Sequence, residues 1–541
     1  MKEVCPHIKA KGLPEETTLY AHLNQVSLVA EKIAPHFMMD AQIAKCGAIL
    51  HDIGKASTVF QKRLYEKKRF DTPFRHEIAS CFFLSLFEES MHGPLIEMII
   101  AHHKSVLHDT RLKGILDLEE NWDDPFDLHI RDWEQWKDDS LTILAGLGID
   151  TTPISKEEAE NNYKFVLDYC ENKVREQGYS EWRGLLMAAD HFASALSGKT
   201  YKYLKRLFMS PDLRFFNRQN ELFPLSKKSA ESKKKHTMVV ACTGAGKTDF
   251  LFRRCSGRVF YTLPFQASIN AMYRRVKNDL ETDNPNMDIR LLHASSSIVM
   301  AGKTKEESII QGHVGAAIKV LTPHQIASIA FGTNGYEAML LDIRGCDVVL
   351  DEIHTYTDVT RAIVLKIVEI LQHLDCKIHL GTATMPSLLY NRIIELLGNE
   401  NVLEVQLNEK ELVLFNRHVV HKRDNWVSVN TIINEAVQTE KKVLIVCNRV
   451  RTAQEQYISL IERYPNTPIL LIHSRFKRSD RGEKECLLIG LDEKGESINK
   501  FNTSNNACIV VSTQVVEVSL DISFDLMVTE AAPLDALIQR F

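Results

Sequence analysis

The sequence predicts a multidomain protein in which a helical N-terminal region is followed by two α/β lobes, and three observations predict it. At 541 residues the chain exceeds what one hydrophobic core organises. From Thr18 to about Ser90 apolar residues recur at helical spacing, as in LNQVSLVAEKIAPHF and MMDAQIAKCGAILHDIGKAS, with little β-branched alternation. Beyond residue 212 the pattern changes to short β-branched runs such as MVVAC, CDVVLD, KKVLIV, ILLI and CIVVS, at the spacing of an α/β fold.

Composition narrows the class. The chain is 44% hydrophobic and 25% charged, with no apolar run long enough for a bilayer, and MKEVCPHIKAKG lacks the apolar core of a signal peptide. A cytoplasmic protein without membrane contact is expected. The eleven cysteines, spread from Cys5 to Cys508, contain no C-x-x-C pair and read as reduced, mostly buried thiols. A net charge of −5 excludes coating of nucleic acid by bulk charge but leaves a local basic channel open.

Many of the 21 histidines lie early in the chain. AILHDIGK places His51 and Asp52 at the end of an apolar helix, with Gly54 expected to end it in the left-handed region. His22, His76, the pair His102 and His103, and Asp190 sit on further apolar helical segments. Burying so many imidazoles without a metal or other partners is costly, which points to metal binding. The order His, His-Asp, His, His-His, Asp resembles the two-metal branch of the HD superfamily of phosphohydrolases. That resemblance implies one metal on His22, His51, Asp52 and Asp190 and another on Asp52, His76, His102 and His103, with Asp52 bridging. Such ligands suit Mn, Fe, Co or Ni, and Lys55 is a candidate for touching the phosphate. The stretch DLEENWDDPFDLHIRDWEQW and the helix SKEEAENNYKFVLDYCENKVREQ are expected to be a solvated linker and a surface helix.

The breaker- and lysine-rich segment after residue 212 opens the second region, with Lys227, Lys228 and Lys233 to Lys235 expected to be solvated. In MVVACTGAGKT a strand, a glycine loop and a helix start follow one another, the context of a phosphate-binding loop. Thr243, Gly244, Ala245 and Gly246 would present backbone N–H groups, Lys247 would reach the outer phosphates, and Thr248 would ligate Mg²⁺ of bound ATP. CDVVLDEIH delivers Asp351 to that Mg²⁺ and Glu352 to the attacking water, and His354 completes a DExH tetrad. These motifs resemble a superfamily 2 helicase from about residue 212 onward. The resemblance implies that Gln219 reads adenine and that Thr262, Pro264, Gln266, Thr322, Gln325, Arg475, Thr513 and Gln514 contact nucleic acid. It also places Asp521, Gln539 and Arg540 at the ATP, and TAT, Thr382 to Thr384, at the coupling between sites.

An HD domain joined to a DExH motor in this order resembles the CRISPR-associated helicase-nucleases of type I systems, with IHSRF as a further match. The expected fold is an all-α HD domain (1–211) followed by two RecA-like α/β domains (212–405 and 406–541), the second incomplete. The resemblance implies a monomeric enzyme with Asp52, Lys55 and Glu352 catalytic. It would be recruited by a Cascade-type surveillance ribonucleoprotein complex to R-loop DNA, and would cut single-stranded DNA while moving 3′ to 5′ on ATP. Two rival readings are an HD nucleotide phosphohydrolase with a regulatory ATPase and an RNA helicase with a non-catalytic HD domain. LIQRF reads as the start of a Gln-Arg-x-Gly-Arg-x-x-Arg element whose later arginines are absent. Because an arginine finger contributes roughly 10³–10⁵ in rate, a truncated chain with impaired ATP hydrolysis is expected.

Overall fold

The computed structural model describes residues 3–14, 16–66, 74–101, 125–173, 179–220, 223–264, 266–292, 312–333, 335–353, 358–414, 418–490, 498–516 and 522–540. The N-terminal region is built from helices α1 (Leu19–Ile33), α2 (Ala41–Leu50), α3 (Thr58–Tyr65), α4 (His76–Cys81), α5 (His92–Ala101), α6 (Pro125–His129), α7 (Trp133–Gly146), α8 (Lys156–Lys173), α9 (Glu181–Leu196) and α10 (Thr200–Leu204). It is not purely helical, because β1 (Lys9–Lys11) and β2 (Thr17–Thr18) form a short antiparallel ladder. Side-chain caps fix the starts of α1 and α2 among others: Thr18 accepts the Ala21 N–H at 3.2 Å for α1, and Asp40 accepts the Ile43 N–H at 2.8 Å for α2.

Residues 117–124 of the acidic stretch lie outside the described residues, but its remainder from Pro125 on overturns the expectation of a solvated linker. Phe126 of α6 and Trp133 and Trp136 of α7 are buried in the main N-terminal core, with the two indoles edge to face at 4.8 Å. In α8 the charges face outward while Ala159, Tyr163, Val166 and Cys170 join the same core. Charge dominates the composition of both segments, but the apolar residues fall on one face.

Two parallel sheets follow. The first has seven strands in the order β5-β6-β4-β7-β8-β3-β9: β3 (His236–Val240), β4 (Val259–Thr262), β5 (Ile289–Leu292), β6 (Ile318–Leu321), β7 (Asp347–Asp351), β8 (Lys377–Thr382) and β9 (Val402–Gln406). Helices α11 (Lys247–Arg254) and α12 (Gln266–Leu280) follow β3 and β4. The second sheet has the order β11-β12-β10-β13, from β10 (Lys442–Val446), β11 (Ile469–Ile472), β12 (Cys508–Ser512) and β13 (Leu526–Thr529). Near-continuous burial of β4, β6, β7 and β12 reflects strands covered on both faces.

The helical region and the first sheet are joined through α9. Arg183 donates to Glu337 at 2.6 Å in a pair with almost no solvent access, and Gly184 lies so close to Glu337 that a Cβ would stand 2.9 Å from its backbone. The lysine clusters are not simply solvated: Lys228 pairs with Glu411 at 3.1 Å, Lys234 donates to the Val402 carbonyl at 2.9 Å, and Lys235 pairs with Asp375. All eleven cysteines are free, and eight of them are buried. Among the described residues no helix is long and apolar enough to cross a membrane.

Two buried histidines tie stability to pH. His129 Nε2 accepts the Arg75 N–H at 2.9 Å and His236 Nδ1 accepts the Ile378 N–H at 3.1 Å, so protonation would break each bond. Burial pushes both down from 6.5 to about 4. The unfolded chain takes up these protons first, so the stability they confer is complete above pH 6.5 and is lost as pH falls toward 4. For His129 the slope reaches about 1.4 kcal/mol per pH unit. Thermal midpoints measured from pH 7.5 to 5 should fall, and His129→Gln should flatten that dependence.

Candidate functional site

The first candidate site forms where α1, the end of α2, α4 and α9 converge. His51 closes α2: its N–H still bonds the Gly47 carbonyl at 2.9 Å, and its Nδ1 donates to the Ala48 carbonyl at 2.7 Å. That bond turns Nε2 toward Asp52 and leaves it the acceptor. Asp52 then leaves helical geometry at φ −116°, ψ 6° and starts the 3₁₀ turn Ile53–Ala56.

Gly54 does not end the helix in the left-handed region as expected, since it lies within that 3₁₀ turn and is not among the described positive-φ glycines. It is glycine because α4 crosses there: a Cβ would stand 2.1 Å from the His76 carbonyl oxygen and 2.7 Å from the Ser80 nitrogen. Ser80 completes the junction, accepting the Gly54 N–H at 2.9 Å and donating to the His51 carbonyl at 3.0 Å. Gly54→Ala should push α4, and His76 with it, away from Asp52. Overpacking of this kind costs about 1–3 kcal/mol, so calorimetry should show a lower thermal midpoint and titration weaker Mn²⁺ binding.

The four elements place three imidazoles around one carboxylate. His22 Nε2 and His51 Nε2 lie 3.0 and 3.3 Å from Asp52 Oδ2, while His76 Nε2 lies 2.9 Å from Oδ1. Asp190, held by the Ser194 hydroxyl at 3.0 Å, lies 3.6 Å from His22 Nε2. The Lys55 ammonium pairs with Asp52 Oδ2 and lies over the Phe60 ring. Burial pushes the pKa values of His22 and His76 down, against the Asp52 carboxylate that raises them. Neutral imidazoles facing both oxygens of a buried carboxylate are a donor set that fits divalent metal. His22, His51 and Asp52 offer ligand atoms all within 4.8 Å of one another. His102 and His103 lie outside the described residues.

The second candidate site lies at the ends of β3 and β7. Gly244 and Gly246 take φ of 74° and 87°, and Gly246 packs against Phe223, whose Cβ a side chain would meet at 2.9 Å. Lys247 opens α11, and its ammonium donates to the Ala241 carbonyl at 3.0 Å and stands 4.0 Å from Glu352. Thr243 is exposed, Ala245 is buried and Thr248 half-buried. Asp351 ends β7 fully enclosed; burial and the Glu352 charge push its carboxyl up. Glu352 itself takes a positive φ of 56°, a sparsely populated conformation for glutamate that strand ends hold at functional sites. Its N–H is anchored to the Gly381 carbonyl at 2.9 Å. Gln219 is exposed beside Arg218, which pairs with Asp249 at 2.9 Å. His354 and Asp521 lie outside the described residues.

The residues expected to contact nucleic acid divide. The Thr262 side chain is buried and its hydroxyl donates to the Val349 carbonyl at 3.0 Å, joining β4 to β7. Thr322 is also buried, and Gln325 closes a capping box with it, its amide oxygen accepting the Thr322 N–H at 3.0 Å. Thr513 is buried at the end of β12. Arg475 and Gln514 are exposed and Pro264 half-exposed, whereas Gln266 begins α12. Gln539 lies on the helix Leu534–Arg540. The Arg540 guanidinium there donates to Thr529 Oγ1 at 2.5 Å and to Asn448 Oδ1 at 3.0 Å. Sequence reasoning missed Ser80, Tyr261 and the Arg183–Glu337 pair. Each is a common residue type whose role depends on what crosses it in space, and no motif marks it.

Three family models match the chain in succession: HD domain over residues 19–141, DEAD/DEAH box helicase over 218–391, and CRISPR-associated nuclease/helicase Cas3, C-terminal, over 439–541. A Methanocaldococcus jannaschii protein named for a CRISPR-associated nuclease/helicase Cas3 is 30% identical over 424 residues, covering 70% of this chain and 56% of the relative. The CRISPR-associated endonuclease/helicase Cas3 of Escherichia coli is 24% identical, covering 56% of this chain and 40% of the relative. The chain thus spans about half the length of these curated relatives. Among solved structures, T. fusca Cas3 with ATP superposes with a TM-score of 0.57 at 18% identity, over 99% of this chain and 72% of that one. A chain of a CRISPR RNA-guided surveillance complex, pre-nicking, gives 0.52 at 18% identity, over 100% and 71%. At these identities the superpositions establish the shared fold.

Proposed function

We propose, because this chain belongs to the Cas3 family of HD-domain helicases, that it carries a metal-dependent DNA nuclease site on an ATP-driven motor and acts in type I CRISPR interference. The observation that carries the reading is the Asp52 carboxylate, whose Oδ2 faces His22 and His51 while Oδ1 faces His76, in a chain that also places Lys247 beside Glu352. A carboxylate presented on both sides in this way suits a bridge between two cations. Two divalent ions of the Mn, Fe, Co or Ni kind would supply activation of water and neutralisation of charge on a phosphodiester.

The chain's own residues have separable tasks. His22, His51, Asp52 and Asp190 would hold one cation, and Asp52, His76, His102 and His103 the other. Ser80 and the Ala48 carbonyl keep His51 turned inward. Lys55, already paired with Asp52, would neutralise the phosphate that enters. In the motor, Thr243 to Gly246 would cradle phosphates, Lys247 would exchange its carbonyl partners for them, Gln219 would read the base, and Glu352 would orient the attacking water. Exposed Arg475 and Gln514 would grip the strand irrespective of sequence. The domains would be 1–211, 212–405 and 406–541. The substrate would be single-stranded DNA of an R-loop, delivered by a guide-RNA surveillance ribonucleoprotein, with 3′-to-5′ movement.

Cleavage of circular single-stranded DNA, assayed with Mn²⁺, Co²⁺ or Ni²⁺ and with or without ATP, tests the reading. Cutting by the purified chain that needs metal, but needs no ATP on a strand already single, is expected. A chain that left DNA intact with every metal while hydrolysing free nucleotides would instead be a nucleotide phosphohydrolase.

A further inference from the structure

Tyr261 lies inside the seven-stranded sheet on β4, in register with Val349 of β7. Its ring stacks on Phe252 of α11 at 5.2 Å between centroids and has no exposed surface. A tyrosine buried this deeply needs a polar partner for its hydroxyl. Here the phenol donates to Asp351 Oδ2 at 2.5 Å. One hydroxyl therefore ties β4 to the end of β7, a place expected to supply a protein ligand of nucleotide-bound Mg²⁺.

The other side of Asp351 is equally constrained. Its Oδ1 accepts the Glu352 N–H at 2.9 Å, and on β8 a Cβ at Gly381 would stand 2.8 Å from that oxygen. Both oxygens are thus fixed in direction by one donor each, and each retains lone-pair capacity for a cation. Without the phenol, Oδ2 would face a buried gap.

We propose that Tyr261 is a positioning residue for the magnesium–nucleotide complex, holding the Asp351 carboxylate in the orientation the cation requires. The proposal rests on reading the loop from Thr243 to Thr248 as the ATP site. Partners one shell removed from a metal typically alter its affinity roughly 10- to 100-fold, and nothing in a phosphate-loop or DExH pattern marks a tyrosine on the neighbouring strand.

The test is binding of a fluorescent ATP analogue to wild type and Tyr261→Phe as Mg²⁺ is titrated from zero. Phenylalanine keeps the ring and its stacking and deletes one oxygen. Expected are an unchanged affinity without Mg²⁺, which also reports an intact fold and loop, and a Mg²⁺ half-saturation raised roughly 10- to 100-fold. In an Asp351→Asn background the same substitution should add less, since the carboxylate that the phenol orients is already gone. An unchanged half-saturation in Tyr261→Phe would overturn the proposal and leave the phenol a structural hydrogen bond. A wild-type chain that binds the analogue with no Mg²⁺ dependence would instead overturn the reading of the ATP site, and the proposal with it.

Discussion

Asp52→Ala is expected to reduce metal-dependent cleavage of single-stranded DNA to background while leaving nucleotide binding unchanged. The carboxylate is the one group that His22, His51, His76 and Lys55 all face. Its removal takes a ligand from both proposed cations and leaves a set of neutral imidazoles beside a lysine. Charge stabilisation by metal contributes several kcal/mol to the transition state of phosphodiester hydrolysis, and a loss of about 4 kcal/mol is roughly a thousandfold in rate. Removing one partner of a buried ionic group also destabilises folds, by about 3–5 kcal/mol, so Asp52→Asn is the companion variant because it keeps the volume. Calorimetric titration with Mn²⁺ should show affinity lost in both, while a fluorescent ATP analogue binds as in wild type. Persistent cutting by Asp52→Ala in the presence of Mn²⁺ or Ni²⁺ would remove the carboxylate from the mechanism.

How far the sequence carries this picture depends on whether a residue's role is local. The buried strands β3, β7, β10 and β12 are legible as β-branched runs, because parallel strands covered on both faces have no polar alternation. The grouping of His22, His51, Asp52 and Asp190 in one site is what the resemblance to the HD superfamily implies, whereas which Asp52 oxygen faces which ring is not legible in the sequence. Gly54 shows the limit. A glycine after a helix reads as a terminator, yet its cause is the backbone of α4 passing at a distance no Cβ tolerates. The acidic segment with Trp133 and Trp136 fails for another reason: a few large indoles outweigh many charges in burying area, while composition counts every residue equally. Thr262 and Tyr261, adjacent on β4, point to opposite faces of the sheet. Motif matching favours the threonine, and the structure gives its hydroxyl to a strand carbonyl while the tyrosine meets Asp351.

Lys247→Ala should have the opposite profile, weakening ATP binding while sparing ATP-independent cutting of single-stranded DNA. The ammonium bridges the Ala241 and Cys242 carbonyls at 3.0 and 3.4 Å, inside the loop whose N–H groups would receive phosphate. The lysine is thus held at the loop by weak neutral acceptors, ready to exchange them for anionic oxygens. Hydrogen bonds to charged groups contribute about 1.5–3 kcal/mol each, so one lost contact predicts an affinity roughly 10- to 150-fold lower. Equilibrium binding of the fluorescent analogue measures this directly. The loop geometry should survive, because Gly244 and Gly246 and the packing of Phe223 do not depend on the lysine. Cleavage of circular single-stranded DNA with Mn²⁺ should then match wild type, since the residues described around Asp52, His22, His51, Lys55 and His76, lie on other elements than α11. A Lys247→Ala chain that lost cutting without ATP would show that the nucleotide loop and the metal centre are not separable, and would replace the picture of two independent sites with a coupled one, for which the buried pair between Arg183 of α9 and Glu337 of the helix Tyr336–Ile343 is a physical connection.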